Sequence, residues 1–230
     1  MIAIIGAMEE EITYLLNKIK IDSTKKIFNY TFYLGNIEKQ SVVIVKSGVG
    51  KTNAGILSAI LVLNFVIDYV INIGVCGGIF GLVNINDLVV HKNSFYSDVD
   101  ITVAGDYMYG QMSNCPRNFE ASNEIISIIE NCFDKTEYKF GNVITGDKFI
   151  NDDELLNELI SSHYKSDNIT SVDMESASFA HSFYQFNIPF ISIRSISDII
   201  GKNNQVEYEE NLQNAANKCA KFVINLIEKI

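Results

Sequence analysis

Three acidic side chains stand directly after short apolar runs of the sequence, where a folded sheet would place them at the mouth of a site. They are Glu11, Glu175 and Asp198. A carboxyl group that is partly withdrawn from water can have a raised pKa and act as an acid or a base near neutral pH. Hydrolysis of a glycosidic bond uses this chemistry, because a leaving group is protonated, a cationic sugar is stabilised and a water is deprotonated.

Each carboxylate taken alone also has a simpler explanation, since acidic residues at helix N-termini are common caps that interact favourably with the macrodipole. Periodicity adds a limited test for the first helix, whose apolar face consists of Met8, Ile12, Leu15, Leu16 and Ile19. Glu10 points directly away from this face, whereas Glu9 and Glu11 both flank it. The pattern therefore excludes Glu10 and leaves the other two open.

Two glycine-rich segments also follow strand-like runs. We interpret Gly-Val-Cys-Gly-Gly at 74–78 as a loop that would let a ligand approach the backbone, with Val75 and Gly77 as candidate contacts. A turn without function is the alternative. The segment 46–52 ends in the Gly-Lys-Thr of a phosphate-binding P-loop, but Val45 stands where that pattern requires a glycine. P-loop chemistry is therefore not predicted.

Metal and disulfide sites are poorly supported. Asp98 and Asp100 form an Asp-x-Asp pair, but no histidine is near them, and His91, His163 and His181 lack ligand spacing. The four cysteines are far apart in the sequence, which favours a reducing compartment over a disulfide framework. We predict no metal and no cofactor.

Composition narrows the class of protein. A chain of 230 residues in which 47% are hydrophobic fits a single globular domain spanning 1–230. The net charge of −10 disfavours a nucleic acid or an anionic membrane as partner. The N-terminus has no basic region of a signal peptide, and the apolar stretch 54–67 is too short to span a bilayer. We therefore expect a soluble cytoplasmic protein in which 54–67 forms a core or interface helix.

Strand-like runs alternate with helical patterns along the whole chain, which predicts an α/β sandwich with a mostly parallel, buried sheet. The expected strands are 2–5, 41–45, 69–73, 87–90, 142–145 and 189–193. The expected helices are 8–19, 51–65, 122–133, 153–163, 174–186 and 207–228. A hairpin around Asn36 adds antiparallel pairing. Ligands of such folds bind at the carboxyl ends of the strands.

Five segments, in this order, resemble the successive motifs of the 5′-methylthioadenosine/S-adenosylhomocysteine nucleosidases. They are IIGAMEEE at 4–11, KSGVGK at 46–51, GDKFI at 146–150, DME at 173–175 and RSISD at 194–198. Together they cover almost the full chain. The resemblance implies a nucleoside phosphorylase-like three-layer α/β/α sandwich with a mixed sheet, a homodimer, and an adenine nucleoside as the small-molecule substrate.

The resemblance also implies catalytic roles. Asp198 would protonate adenine N7, with Ser197 helping to position it. Glu175 would hold the ribose hydroxyls and stabilise the cationic sugar, against which Met174 packs. Glu11 would activate the attacking water, which is the choice that periodicity leaves open.

The same resemblance assigns the walls of the substrate pocket. Phe149 would stack on adenine, and the backbone of Ile150 would bond its edge. Met8 and Val49 would line the ribose and the 5′-alkylthio end, which Tyr208 would close. The chain departs from the family pattern at Val75, at Lys148 and across 101–109, and these departures leave the catalytic carboxylates untouched.

The same residues also bear on several rival functions. A nucleoside phosphorylase needs a cationic phosphate cradle, but the loops 6–8 and 48–50 contain no arginine and Glu11 would repel phosphate. AMP is disfavoured by the apolar Met8 and Val49, while aminodeoxyfutalosine or 5′-deoxyadenosine remain alternative substrates. A non-catalytic nucleoside-binding protein would be expected to lack one of the three carboxylates. Hydrolysis of methylthioadenosine and adenosylhomocysteine, releasing adenine and the thioribose, is the prediction.

Overall fold

The computed structural model describes residues 1–201 and 204–230 and contains one mixed sheet flanked by helices. The strands are β1 (Ile2–Gly6), β2 (Lys20–Ile27), β3 (Tyr30–Ile37), β4 (Gln40–Lys46), β5 (Tyr69–Gly78), β6 (Leu88–Tyr96), β7 (Asn118–Glu120), β8 (Lys139–Thr145), β9 (Ile169–Asp173) and β10 (Phe190–Ile199). The helices are α1 (Glu9–Lys18), α2 (Lys51–Asn64), α3 (Asn123–Cys132), α4 (Asp153–Leu159), α5 (Ser176–Phe186) and α6 (Asn204–Ile227). A 3₁₀ turn lies at Thr102–Ala104, and a π-helical turn at Ile160–Tyr164 continues α4.

The centre of the sheet is β5, which pairs in parallel with β1 on one side and with β10 on the other. From β10 the sheet continues through β6 and β8 to β9, whose end returns to the last residues of β5. Five strands therefore close on one another. On the far side of β1, β4, β3 and β2 extend the sheet, and β2 ends it.

Helices cover both faces of this sheet. Along β1, Ile2 and Ile4 pack into a core with α1, α3 and α6, whereas Ala3 and Ile5 pack into a second core with α2 and α5. This alternation arises because successive side chains of a strand point to opposite faces. Both faces of β1 are buried, which explains why its sequence is uniformly apolar. The predicted α/β fold with a mixed sheet is confirmed.

Two local expectations were wrong. Residues 74–78 are not a loop after the strand, because β5 continues through Gly78 in register with β10. The predicted hairpin and its antiparallel pairing are present, but the turn between β3 and β4 lies at 38–39, where Glu38 has φ +49°, and not at Asn36. In the first case the glycines serve close packing inside a strand, which a sequence pattern does not distinguish from a turn.

Helix ends differ from expectation by a few residues. Helix α5 begins at Ser176, so Glu175 is its N-cap residue, and Asp198 lies inside β10 and not after it. No helix within residues 1–201 and 204–230 is long and apolar enough to cross a membrane. Cys76, Cys115, Cys132 and Cys219 carry free thiols.

Candidate active site

A cavity of about 250 Å³ lies at the carboxyl ends of the central strands. It brings together all of the site residues predicted from the sequence, which are Met8, Glu11, Val49, Val75, Gly77, Phe149, Ile150, Met174, Glu175, Ser197, Asp198 and Tyr208. Segments far apart in the chain meet here because β1, β4, β8, β9 and β10 all deliver their following loops or last residues to the same end of the sheet. Ala7, Cys76, Lys148, Asp173 and Arg194 also line the cavity.

Glu11 is the carboxylate of the first helix that faces the cavity. It is the third residue of α1 and reaches back to accept hydrogen bonds from the backbone N–H groups of Ala7, at 2.5 Å, and Met8, at 3.0 Å. Its other oxygen accepts from Val75 N–H at 3.0 Å. Glu9, by contrast, is half exposed and pairs with Lys46. The geometry thus distinguishes the two residues that periodicity left open.

Gly74 makes the position of Glu11 possible. A Cβ built at Gly74 would stand 2.5 Å from Glu11 Cδ and 2.6 Å from Arg194 Nη1. Only a glycine lets the backbone of β5 approach these side chains so closely. Burial raises the pKa of Glu11 above its usual value, and the neighbouring Arg194 guanidinium opposes part of this rise.

Arg194 lines the cavity but was not among the site residues predicted from the sequence. Its side chain is 1% exposed, and its guanidinium lies 3.1 Å from Asp173, 3.4 Å from Glu175 and 3.6 Å from Glu11. It also donates to Asn72 Oδ1 at 2.7 Å. An arginine within a strand that otherwise contains apolar residues, serines and Asp198 was the available signal, because a buried charge must be paired.

Glu175 is held between two elements. Its Oε1 accepts a hydrogen bond from Gly50 N–H at 2.8 Å, and its Oε2 lies 3.4 Å from Arg194 Nη2. Burial raises the pKa of Glu175; Arg194 offsets part of that rise, and repulsion from Asp173 adds to it. Three carboxylates therefore surround one guanidinium, which leaves this part of the cavity with excess negative charge when all are ionised.

Asp198 lies at an irregularity of β10, where the register against β5 shifts between Ile196 and Asp198. The Ser197 hydroxyl lies 2.7 Å from Asp198 Oδ1 and donates to it. Such an irregularity redirects side chains, so that both Ser197 and Asp198 reach the cavity. Asp198 is 2% exposed, and it is aligned with Gly77 of β5.

Apolar and aromatic side chains form the opposite wall. The Tyr208 hydroxyl donates to Met8 Sδ at 3.3 Å, and the rings of Tyr208 and Phe149 pack edge to face with centroids 6.0 Å apart. Burial raises the pKa of Tyr208 to about 12, so its hydroxyl stays protonated near neutral pH. Phe149 remains 48% exposed and Val49 45% exposed, which leaves apolar surface available to a planar ligand.

The two carboxylates of the Asp-x-Asp pair contact different partners. Asp98 lies 2.6 Å from Lys51 Nζ, whereas Asp100 accepts hydrogen bonds from Thr102. Within residues 1–201 and 204–230, no group of three or more His, Cys, Asp or Glu side chains is arranged to hold a metal ion. The cavity therefore offers acid–base groups, one buried cation and an aromatic wall.

Comparison with known proteins agrees with this arrangement. Residues 1–228 match the family model described as the phosphorylase superfamily. The 5′-methylthioadenosine/S-adenosylhomocysteine nucleosidase of Bacillus subtilis (strain 168) is 37% identical over 232 aligned residues, which cover 100% of this chain and 99% of the relative.

Solved structures with a similar fold include nucleosidases of the same name. The methylthioadenosine/adenosylhomocysteine nucleosidase of S. pneumoniae, with the transition-state inhibitor MT-ImmA, superposes with a TM-score of 0.94 at 30% identity, covering 99% of this chain and 98% of the other. The enzyme of Neisseria meningitidis with methylthio-immucillin-A has a TM-score of 0.93 at 29% identity, with coverages of 100% and 99%. A futalosine hydrolase mutant of Helicobacter pylori has a TM-score of 0.92 at 26% identity, with coverages of 100% and 99%.

Proposed function

The chain belongs to the phosphorylase superfamily and, within it, to the 5′-methylthioadenosine/S-adenosylhomocysteine nucleosidases, and on that premise we propose that it hydrolyses the N-glycosidic bond of these two adenine nucleosides. The products are adenine and the corresponding thioribose. The observation that carries this proposal is the convergence of Glu11, Glu175 and Asp198 on one cavity with an aromatic wall.

Asp198 is the proposed general acid. As the bond between C1′ and N9 breaks, its electron pair moves into the adenine ring, and a proton from the Asp198 carboxyl neutralises N7. The hydrogen bond from Ser197 to Asp198 Oδ1 supports this role, because it fixes the orientation of the carboxyl group. Phe149 would stack on the base, and Ile150 would contact its edge through the backbone.

Glu175 and Glu11 are proposed to act on the sugar side. The Glu175 carboxylate would bond the ribose hydroxyls and stabilise the oxocarbenium-like transition state, with Met174 packed against the ribose. Glu11 would take a proton from the water that attacks C1′. The buried position of Glu11 supports this role, since a raised pKa makes its carboxylate a stronger base.

The remaining lining residues would recognise the 5′ substituent. Met8, Val49 and Tyr208 offer apolar surface and a thioether contact, which suits an alkylthio group and disfavours a phosphate. Val75 and Gly77 of β5 would form the floor beneath the substrate. No metal or cofactor takes part in the proposed reaction.

Phosphorolysis is the closest rival, and charge argues against it. Phosphate would have to approach C1′ from the side of Glu11. Arg194, the arginine of the cavity, is already shared among Glu11, Asp173 and Glu175. A phosphate dianion would therefore be repelled by the net negative charge of the site, whereas neutral water would not be repelled.

We further infer that the chain works as a single domain, as a homodimer and in the cytoplasm. The strands β1 to β10 all belong to one continuous sheet, which supports a single domain. The exposed apolar side chains Ile56 and Leu63 on α2 support burial of this helix against a second copy. The four free thiols support a reducing compartment.

The decisive experiment measures base release from methylthioadenosine, adenosylhomocysteine and aminodeoxyfutalosine, each with and without phosphate, and identifies the sugar product. We expect adenine and free thioribose from the first two, at rates independent of phosphate. A sugar 1-phosphate would instead assign the protein to the phosphorylases and overturn the role of Glu11. Faster cleavage of aminodeoxyfutalosine would change the proposed substrate and retain the reaction.

A further inference from the structure

Two sequence motifs that the proposed reaction does not use meet in space beside the cavity. Lys51 belongs to the Gly-Lys-Thr segment that resembles a P-loop, and Asp98 belongs to the Asp-x-Asp pair. Lys51 Nζ lies 2.6 Å from Asp98 Oδ1, with 22% and 33% of the two side chains exposed. The Lys51 ammonium also lies 5.5 Å from the centre of the Tyr96 ring, which favours a cation at this point.

Asp147 contacts both residues of this pair. Its backbone N–H donates to Asp98 Oδ2 at 3.0 Å, and its Oδ1 accepts from the backbone N–H of Lys51 at 2.7 Å. Its Oδ2 lies 4.0 Å from Lys51 Nζ. We call Lys51, Asp98 and Asp147 the clasp, because they join the first residue of α2 to the loop after β6 and the loop after β8.

Asp147 also caps α2 from a different part of the chain. The N-cap residue of α2 is Gly50, which has no side chain, and the first turn at 51–54 contains no acidic residue. A carboxylate that accepts a hydrogen bond at a helix N-terminus is favoured by both the unpaired N–H group and the macrodipole. The start of α2 is therefore fixed by the loop that follows β8.

The clasp fixes groups that face the cavity on both sides. Gly50, next to Lys51, donates the hydrogen bond to Glu175. Phe149 and Ile150 follow Asp147 within three residues and line the cavity, as does Val49 on the other side. The separation between Val49 and the Phe149–Ile150 wall therefore depends on the clasp.

We propose that Lys51, Asp98 and Asp147 are positioning residues that hold the base-binding wall against the loop of Val49 and Gly50, and so set the affinity for adenine and its nucleosides. None of the three is proposed to touch the reacting atoms. The contact between Glu175 and Arg194 does not involve these three residues, so we expect the chemical step to be retained when the clasp is weakened. This inference rests on the proposed nucleosidase function.

The test compares Asp98→Asn with Asp100→Asn, a matched change two residues away. Among the described residues, the Asp100 side chain accepts hydrogen bonds only within its own turn, from Thr102. We expect Asp98→Asn to raise KM for methylthioadenosine and Kd for adenine by about three- to tenfold at low salt, as expected for loss of a partly exposed, charge-assisted contact. Its kcat should stay within about twofold of the wild-type value, since the interaction that is lost stabilises the bound substrate and the transition state equally. Asp100→Asn should leave all three constants unchanged.

Salt supplies a second readout that a merely structural role would not produce. At 1 M salt the Debye length is only about 3 Å and the partly exposed Lys51–Asp98 pair is more strongly screened, so the wild-type KM should rise towards that of Asp98→Asn and the difference should shrink. Lys51→Met should raise KM similarly. The double variant with Asp98→Asn should have a KM no higher than that of either single variant, because both substitutions remove the same contact.

The outcomes separate the two proposals. If the wild type releases no adenine, the nucleosidase function fails and the clasp loses its proposed role with it. If the wild type is active but Asp98→Asn behaves as Asp100→Asn, the clasp alone is refuted. Additive effects of Lys51→Met and Asp98→Asn, or a fall in kcat with unchanged KM, would also refute it. Thermal unfolding of every variant identifies any rise in KM that comes from a loss of fold.

Discussion

The backbone of Gly74 lies against the carboxylate of Glu11, so closely that a Cβ at this position would stand 2.5 Å from Glu11 Cδ. The position of a side chain from the first helix is thus determined by the absence of a side chain in the middle of β5. Gly74 also has φ +151°, a conformation that L-residues rarely adopt.

We expect Gly74→Ala to displace Glu11 and lower kcat/KM by about 100-fold, since a shift near 1 Å in catalytic geometry has effects of this order. Gly81→Ala is the matched control, because Gly81 also has positive φ but a Cβ added there would meet no atom within 4 Å among the described residues. Both variants have backbone strain, but only Gly74→Ala adds an atom that would displace Glu11. Only Gly74→Ala should therefore lose activity. Equal activity of the two variants would show that Glu11 tolerates displacement.

Glu11→Gln should lower kcat by about 10²- to 10⁴-fold, the usual contribution of a general base. Binding of a transition-state analogue should change little, because Gln fills the same space. Glu9→Gln is the control: Glu9 is an exposed partner of Lys46, and its loss should alter turnover less than about twofold. The assignment would be reversed if Glu9→Gln, and not Glu11→Gln, abolished steady-state adenine release.

Asp198→Asn should lower kcat for methylthioadenosine by about 10²- to 10⁴-fold while adenine binding is retained. The defect should be much smaller for a nitrophenyl glycoside of the same sugar, whose leaving group departs without a proton. Comparison of the two substrates therefore isolates the acid function. A loss of equal size on both would mean that Asp198 acts on the sugar or on the fold.

Stability and activity should depend on pH in opposite directions through Glu11. Its folded-state pKa is raised, so the folded protein binds a proton more tightly than the unfolded chain does. The stabilisation that the protonated Glu11 contributes is fully present below the pKa of 4.5 that applies to the unfolded chain. It is lost as pH rises through the raised pKa of the folded protein. Catalysis needs the carboxylate, so kcat should rise across the same window.

Chemical denaturation of wild type and Glu11→Gln at several pH values measures this effect. The difference in unfolding free energy should favour Glu11→Gln increasingly as pH rises above 4.5, because Gln resembles the protonated acid. Subtraction of the two curves removes the contribution of other titrating groups. A difference that is flat with pH would show that the pKa of Glu11 is not raised.

Local patterns predicted the elements well and the site only in part. Alternation of apolar runs identified the central strands and most helices, because burial of both sheet faces leaves a strong sequence pattern. Periodicity could not choose between Glu9 and Glu11, since both flank the same helix face. The family resemblance favoured Glu11, and the hydrogen bonds to Ala7 and Val75 give a physical reason for its place in the cavity.

Features that depend on distant segments were not predictable from one sequence. Arg194 contacts carboxylates from α1, β9 and the start of α5, and all three, Glu11, Asp173 and Glu175, are distant from it in the chain. Lys51 and Asp98 are separated by 47 positions, and their motifs suggested unrelated chemistry. Gly74 looked like a turn residue because close packing and turns use the same property of glycine.

The closure of β5, β10, β6, β8 and β9 on one another has a consequence for edge-to-edge association between molecules. Strands joined in this way leave few unpaired backbone groups that could template pairing with another molecule. The sheet instead ends at β2, whose residues are almost all exposed and include Lys20, Lys25 and Lys26. Repulsion between like-charged lysines would oppose edge-to-edge aggregation there, so replacing them with apolar residues should promote it.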